Sequence, residues 1–147
     1  MTMPRLIRSA AAIAVMGLAG AACTSTTAPS VSDSGITPLE FRTETFAGTL
    51  QVNGSGFYSI VIVQAGPAEL TLAAVQTPGG AALAIPVGIG LGIPSGIGCP
   101  RTTSQVTPPG LAAQLTVTLN PGTYCVAVFD AGNLTTAVNF AMRIKHP

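Results

Sequence analysis

The sequence predicts an all-β protein: an antiparallel two-sheet β-sandwich (jelly-roll or immunoglobulin-like) of seven or eight strands. Short apolar segments that alternate at period two recur from residue 44 onward, and turn residues separate them. No apolar pattern of helical period follows the N-terminal segment, and seventeen Gly and twelve Pro supply many turns. Such regularly spaced strands are typical of a sandwich.

Residues 1–22 are predicted to be a secretory signal peptide. Arg5 and Arg8 precede an Ala-rich apolar run over residues 9–20. This run is shorter than the roughly 20 apolar residues of a membrane-spanning helix. We therefore expect an exported protein whose mature part begins near Cys23.

Residues 19–23, Ala-Gly-Ala-Ala-Cys, resemble a bacterial lipobox, although Gly20 stands where leucine is commonest. The resemblance implies that Cys23 carries lipid and anchors the protein in a membrane of the cell envelope. Because Thr24 rather than Asp follows the cysteine, the same resemblance implies the outer membrane if the cell has one. The alternative is plain secretion to the periplasm or the medium, with cleavage after Ala21 or Ala22.

The mature chain divides into a tether and a domain. Residues 23–38 are rich in Ser and Thr and predict a flexible tether, and residues 39–147 predict the sandwich. Loss of Arg5 and Arg8 leaves four of the six Lys and Arg against five Asp and Glu, a balance of −1. Without a basic patch, no nucleic-acid partner is expected.

The first three strands are predicted at residues 44–51, 57–63 and 69–75. Asn53-Gly54 between the first two is a strong hairpin signal. The second is apolar on both faces except at Ser59, which predicts a central strand. The third alternates and predicts Leu70, Leu72 and Ala74 as its buried face.

The segments after residue 80 include three more in which apolar residues alternate with other residues. Residues 83–93 place large apolar side chains at every odd position and Gly, Ala or Pro at the even ones, so that one face is nearly bare. This bare face could alternatively admit another surface. Residues 95–110 predict a loop, and two strands should bury these residues: Ala113, Leu115, Val117 and Leu119 in one, and Val138, Phe140, Met142 and Ile144 in the other. The last strand should point the alternate residues outward: Asn139, Ala141, Arg143 and Lys145.

The segment Leu119-x-Pro121-Gly122-x-Tyr124 resembles a tyrosine corner, in which the phenol hydroxyl bonds an upstream backbone group. Three cysteines leave Cys99 and Cys125 as a predicted disulfide if Cys23 is lipidated. Cys125 is adjacent to Tyr124 and faces the opposite way, so the bridge should attach the loop to the outside of a sheet. The alternative is two buried free thiols.

The chain between about residues 44 and 144 resembles the bacterial pre-peptidase C-terminal domain (PPC-like domain). The matching segments are residues 46–50, 57–62, 70–72 and 119–128. The resemblance implies a β-sandwich module without a catalytic role. Many family members carry acidic residues before the second strand, some of which bind calcium. Here residues 53–56 are Asn-Gly-Ser-Gly, so no metal or other cofactor is expected.

No catalytic constellation is predicted. The chain has one histidine, His146, which we expect in an exposed tail, and Asp130 with Asn133 predicts a turn. The leading hypothesis is a non-enzymatic envelope lipoprotein that binds a protein or glycan, with the loop at Cys99 as the expected surface. The alternatives are a structural protein that self-associates through residues 81–94 and, least favoured, an accessory of a secreted hydrolase.

Overall fold

The computed structural model describes residues 38–147; the predicted signal peptide, the lipidation at Cys23 and nearly all of the tether lie outside them. The described part is all-β, as predicted. Eight strands follow one another: β1 (Arg42–Leu50), β2 (Ser55–Ile62), β3 (Gly66–Gln76), β4 (Val87–Gly92), β5 (Arg101–Thr107), β6 (Leu115–Leu119), β7 (Gly122–Phe129) and β8 (Val138–His146).

The strands form two antiparallel four-stranded sheets. Sheet A has the order β1-β8-β3-β6, and sheet B has the order β2-β7-β4-β5. The first strand pairs with the last, the second with the seventh, the third with the sixth and the fourth with the fifth. This nesting is that of a long hairpin rolled into two layers, which is the jelly-roll form of the predicted sandwich.

The core lies between the sheets and is mainly aliphatic. Alternation along β8 places its predicted apolar residues, Val138, Phe140, Met142 and Ile144, inside. The ring of Phe46 on β1 stacks on that of Tyr58 on β2, with centroids 4.5 Å apart. Two inward assignments are wrong: a bulge between Leu72 and Ala74 moves Val75 into the core instead of Ala74, and Ala113 is exposed before β6 begins.

The prediction of a loop over residues 95–110 is wrong in its middle, because β5 lies there. Its sequence, Arg-Thr-Thr-Ser-Gln-Val-Thr, has one large apolar residue, so it lacks the alternation of a half-buried strand. β5 is an edge strand that leaves most of its side chains exposed. Its sequence therefore does not need to alternate between apolar and polar residues.

The Asn53-Gly54 turn exists but does not form a hairpin. Asn53 adopts a left-handed conformation at φ 54°, and the Gly54 amide donates to the Gln51 carbonyl at 2.9 Å. However, β1 belongs to sheet A and β2 to sheet B, because their partners are β8 and β7. Among the described strands, β4 and β5 are the only consecutive pair that hydrogen-bond to each other.

The prediction that residues 57–63 form a central strand is also wrong. β2 lies at the edge of sheet B, although it is apolar on both faces. The bare face of residues 83–93, by contrast, is filled by the chain itself, and all of β4 is buried. The Phe129 ring covers Gly88, and the Arg101 side chain and the β5 backbone cover Gly90. This central strand is therefore not open to a second molecule in the folded domain.

Candidate binding surfaces

Cys99 and Cys125 form the predicted disulfide, with the two Cα atoms 6.0 Å apart. Cys99 lies in the loop between β4 and β5, and Cys125 lies on β7 opposite Gly92 of β4. Neighbouring residues Tyr124 and Cys125 face opposite sides of β7, because the Tyr124 ring packs against the core. The bridge therefore attaches the loop to the outer face of sheet B, as predicted from the alternation of side chains along the strand.

The segment from Leu119 to Tyr124 carries the chain from β6 in sheet A to β7 in sheet B. Asn120 and Pro121 alone separate the two strands, and Leu119 is buried. Between described residues, no hydrogen bond joins the Tyr124 hydroxyl to a backbone group. Tyr58 makes a bond of this kind: its hydroxyl donates to the Ala47 backbone carbonyl at 2.9 Å.

Large apolar side chains lie exposed on the outer face of sheet B. Phe57 and Val61 alternate outward along β2, and the side chain of Ile97 in the disulfide-bonded loop is fully exposed. Phe57, Ile97 and Cys99 line one groove of about 200 Å³. We call the exposed side chains of Phe57, Val61 and Ile97 together the apolar face; Ser59 lies between the first two along β2. An antiparallel sheet usually presents polar side chains to water, so this surface is unusual.

The four sheet edges differ in their protection against pairing with another strand. β1 carries Arg42 and Glu44, β6 has five residues, and β5 begins with Arg101 beside a register shift. Charges, shortness and irregular register are the devices by which edges avoid pairing. β2 has none of them: it has eight residues, an unbroken register with β7, and neither a charged residue nor a proline.

A second groove of about 200 Å³ lies on the outer face of sheet A. Arg143 and Lys145 of β8 point into it, as their predicted outward parity requires, and the loop before β6 closes one side. We call it the Arg143 groove; it is lined by Thr43, Glu69, Thr71, Leu111, Ala113, Arg143 and Lys145. Alternation along β8 predicts that the two cations face outward, but no local pattern predicts the loop that makes this face concave.

The turn at Asp130 is structural. Its carboxylate accepts hydrogen bonds from the backbone amides of Asn53 at 2.8 Å, Gly132 at 2.8 Å, Asn133 at 2.9 Å and Leu134 at 3.2 Å. These bonds, that from Asn53 most of all, lower the pKa of Asp130, and partial desolvation opposes them. The carboxylate thus joins the β7–β8 connection to the turn before β2.

The expectation that His146 lies in an exposed tail is wrong, because the side chain is 1% exposed. His146 occupies the last inward-facing position of β8, two residues after Ile144. Its Nε2 lies 3.0 Å from a Glu44 carboxylate oxygen and its Nδ1 2.9 Å from the Pro147 carbonyl oxygen. The alternation of inward and outward side chains along β8 predicts that His146 faces inward.

Within residues 38–147, no three His, Cys, Asp or Glu side chains come close enough to hold a metal ion. The same part of the chain contains no helix long and apolar enough to cross a membrane.

No family model matches the sequence, and no curated protein matches it. Among solved structures, the chain is similar to one described by the words "Bacillus endospore appendages form a novel family of disulfide-linked pili". The similarity covers 75% of this chain and 90% of that chain, with 15% sequence identity and a TM-score of 0.40. A likeness of this degree carries no argument about the function of the present chain.

Proposed function

We propose that the protein is a non-enzymatic envelope lipoprotein whose β-sandwich binds another protein by strand addition at β2. The observation that carries the proposal is an apolar, uncharged edge strand beside the apolar face. An added strand would satisfy the free backbone groups of β2 and place its own side chains beside Phe57 and Val61.

The chemistry of the edge defines the partner. Because β2 offers backbone groups and apolar side chains but no charge, it suits an extended segment of alternating apolar residues. Arg101, which lines the groove beside Phe57, is engaged with the Phe129 ring at 4.0 Å. A protein strand therefore fits this surface better than a glycan, which needs polar partners.

The test compares two charged variants of exposed valines on opposite edges of sheet B. Val61→Lys places a charge on β2, and Val106→Lys places the same charge on β5; both valines are about half exposed or more, so the fold should tolerate either. Co-purification from cross-linked cells should lose its partner with Val61→Lys and keep it with Val106→Lys. Partner retention by Val61→Lys, or equal loss from both variants, would rule out recognition at β2.

A second candidate function is structural self-association, in which the added strand is β2 of a second copy. Two antiparallel copies of an uncharged strand meet without like-charge repulsion, which favours this candidate. Sedimentation of the purified chain distinguishes the two functions. A dimer that Val61→Lys dissociates supports self-association, whereas a monomer at high concentration supports a different partner protein.

The lipid anchor is a separate part of the proposal and concerns Cys23. The lipobox-like residues 19–23 support it. Cells fed a palmitate analogue should label the wild-type chain and leave Cys23→Ser unlabelled. A wild-type chain that is exported but unlabelled would contradict anchoring without affecting the β2 surface.

A further inference from the structure

We infer that the Arg143 groove binds the carboxylate of an acidic saccharide, with one hexuronate residue seated in the groove. This site lies on sheet A, on the opposite side of the sandwich from β2. It is therefore independent of the proposed protein surface.

Arg143 supplies the charge. Its Nη2 donates to the Leu111 carbonyl at 3.5 Å, a long contact that leaves the fork of the guanidinium largely unused. No carboxylate among the described residues forms an ion pair with it, whereas Lys145 lies 3.7 Å from Glu69. A carboxylate matches the planar guanidinium fork with two parallel hydrogen bonds.

Thr71 is the second residue that can contact a ligand in this groove. Its side chain lines the groove at 8% exposure and makes no hydrogen bond to any described residue. In the register of β3 and β8 it stands directly opposite Arg143. No buried side-chain oxygen or nitrogen among the described residues lacks a partner, so the Thr71 hydroxyl is accessible from the groove, where it can donate to a ligand oxygen held by Arg143.

The rest of the groove suits a sugar that bears one negative charge. Two cations and the Glu69 carboxylate leave a net charge of +1. Leu111 and Ala113 offer apolar surface to ring C–H groups, and Thr43, Glu69 and Lys145 offer partners for sugar hydroxyls. A volume of about 200 Å³ is below that of pockets for drug-sized ligands and corresponds to one small ring.

The experiment measures binding of a hexuronate trisaccharide to the full chain in detergent by calorimetry. Its fully methyl-esterified form keeps the hydroxyls but lacks the charge, and inorganic phosphate supplies charge without the sugar. We expect the acid to bind at least tenfold more tightly than either probe. Equal affinity for the ester, equal affinity for phosphate, or no binding of the acid would each overturn the inference.

Two variants test the residues. Arg143→Gln should weaken binding at least tenfold, and Arg101→Gln, on the other sheet, should leave it unchanged. Thr71→Val should weaken binding several-fold while the melting temperature changes little, because the lost hydroxyl is accessible to solvent and holds no other part of the fold. Unchanged affinity in both Arg143→Gln and Thr71→Val, with the fold intact, would exclude this groove as the site.

Discussion

At the scale of single residues, Asp130 gives a prediction about pH. Its pKa is lowered from 3.8, so the folded state holds the proton less tightly than the unfolded chain. Its contribution to stability is fully present above about pH 4, where the unfolded group is already ionised, and is lost as the pH falls through the folded pKa.

Asp130→Asn tests this contribution, because one amide oxygen cannot replace the two carboxylate oxygens that accept from Asn53 and Gly132. The variant should unfold more easily at neutral pH. Its free energy of unfolding, measured with urea between pH 2 and pH 5, should also fall less steeply with acid than that of the wild type. Parallel curves for the two proteins would contradict the role of the carboxylate.

Gly92 gives a second prediction at this scale. A Cβ built there overlaps the backbone carbonyl of Pro100, which cannot swing aside as a side chain can. Gly92→Ala should destabilise the domain by about 1–3 kcal/mol, the usual cost of overpacking. Gly56→Ala is the matched control: its Cβ meets only Val128 Cγ1 at 3.9 Å, and it should be nearly neutral. Similar urea midpoints for both variants would contradict this packing.

At the scale of elements, the disulfide fastens the β4–β5 loop to β7 across 26 residues of sequence. The chain-entropy model gives such a loop a stabilisation of roughly 3.5 kcal/mol. Replacing Cys99 and Cys125 by Ser should lower the free energy of unfolding by about that amount and preserve the fold, since Cys125, although buried, lies outside the hydrophobic cluster between the sheets. Reductant should affect the wild type and not this variant; an equal response of both would contradict the prediction.

The elements also show what the sequence could predict and why the rest was missed. Strands that bury one face, such as β8, were identified because alternation is imposed by the core. β5 was missed because an edge strand with polar side chains needs no alternation. β2 was identified as a strand but placed in the middle of a sheet, because apolar residues on both faces are also typical of a strand that is buried on both sides. The same apolar outer face is where we propose that a partner protein binds.

Sheet assignment depends on pairing between distant residues, and no local pattern contains it. Asn53-Gly54 has the local chemistry of a hairpin turn, but β1 and β2 cross between layers because β8 and β7 are their partners. The Arg143 groove was missed for the same reason. Its cations were correctly placed outward, but the wall at Leu111 and the hydroxyl of Thr71 come from other parts of the chain.

At the scale of the whole molecule, the two outer faces of the sandwich differ. Sheet A presents threonines, cations and a polar groove, whereas sheet B presents the apolar face and the unprotected edge of β2. A lipid at Cys23 would hold such a domain at a membrane surface, where one face could contact a protein and the other an acidic polysaccharide.

The most direct test of the central claim is photo-cross-linking in living cells. A photoreactive residue replaces Phe57, Ser59 or Val61 on β2, Ser104 or Val106 on β5, or Thr45 on β1, one position at a time. Strand addition at β2 predicts cross-linked products from the three β2 positions and none from the other three. Cross-links only from β5 or β1, or none from β2, would contradict the claim.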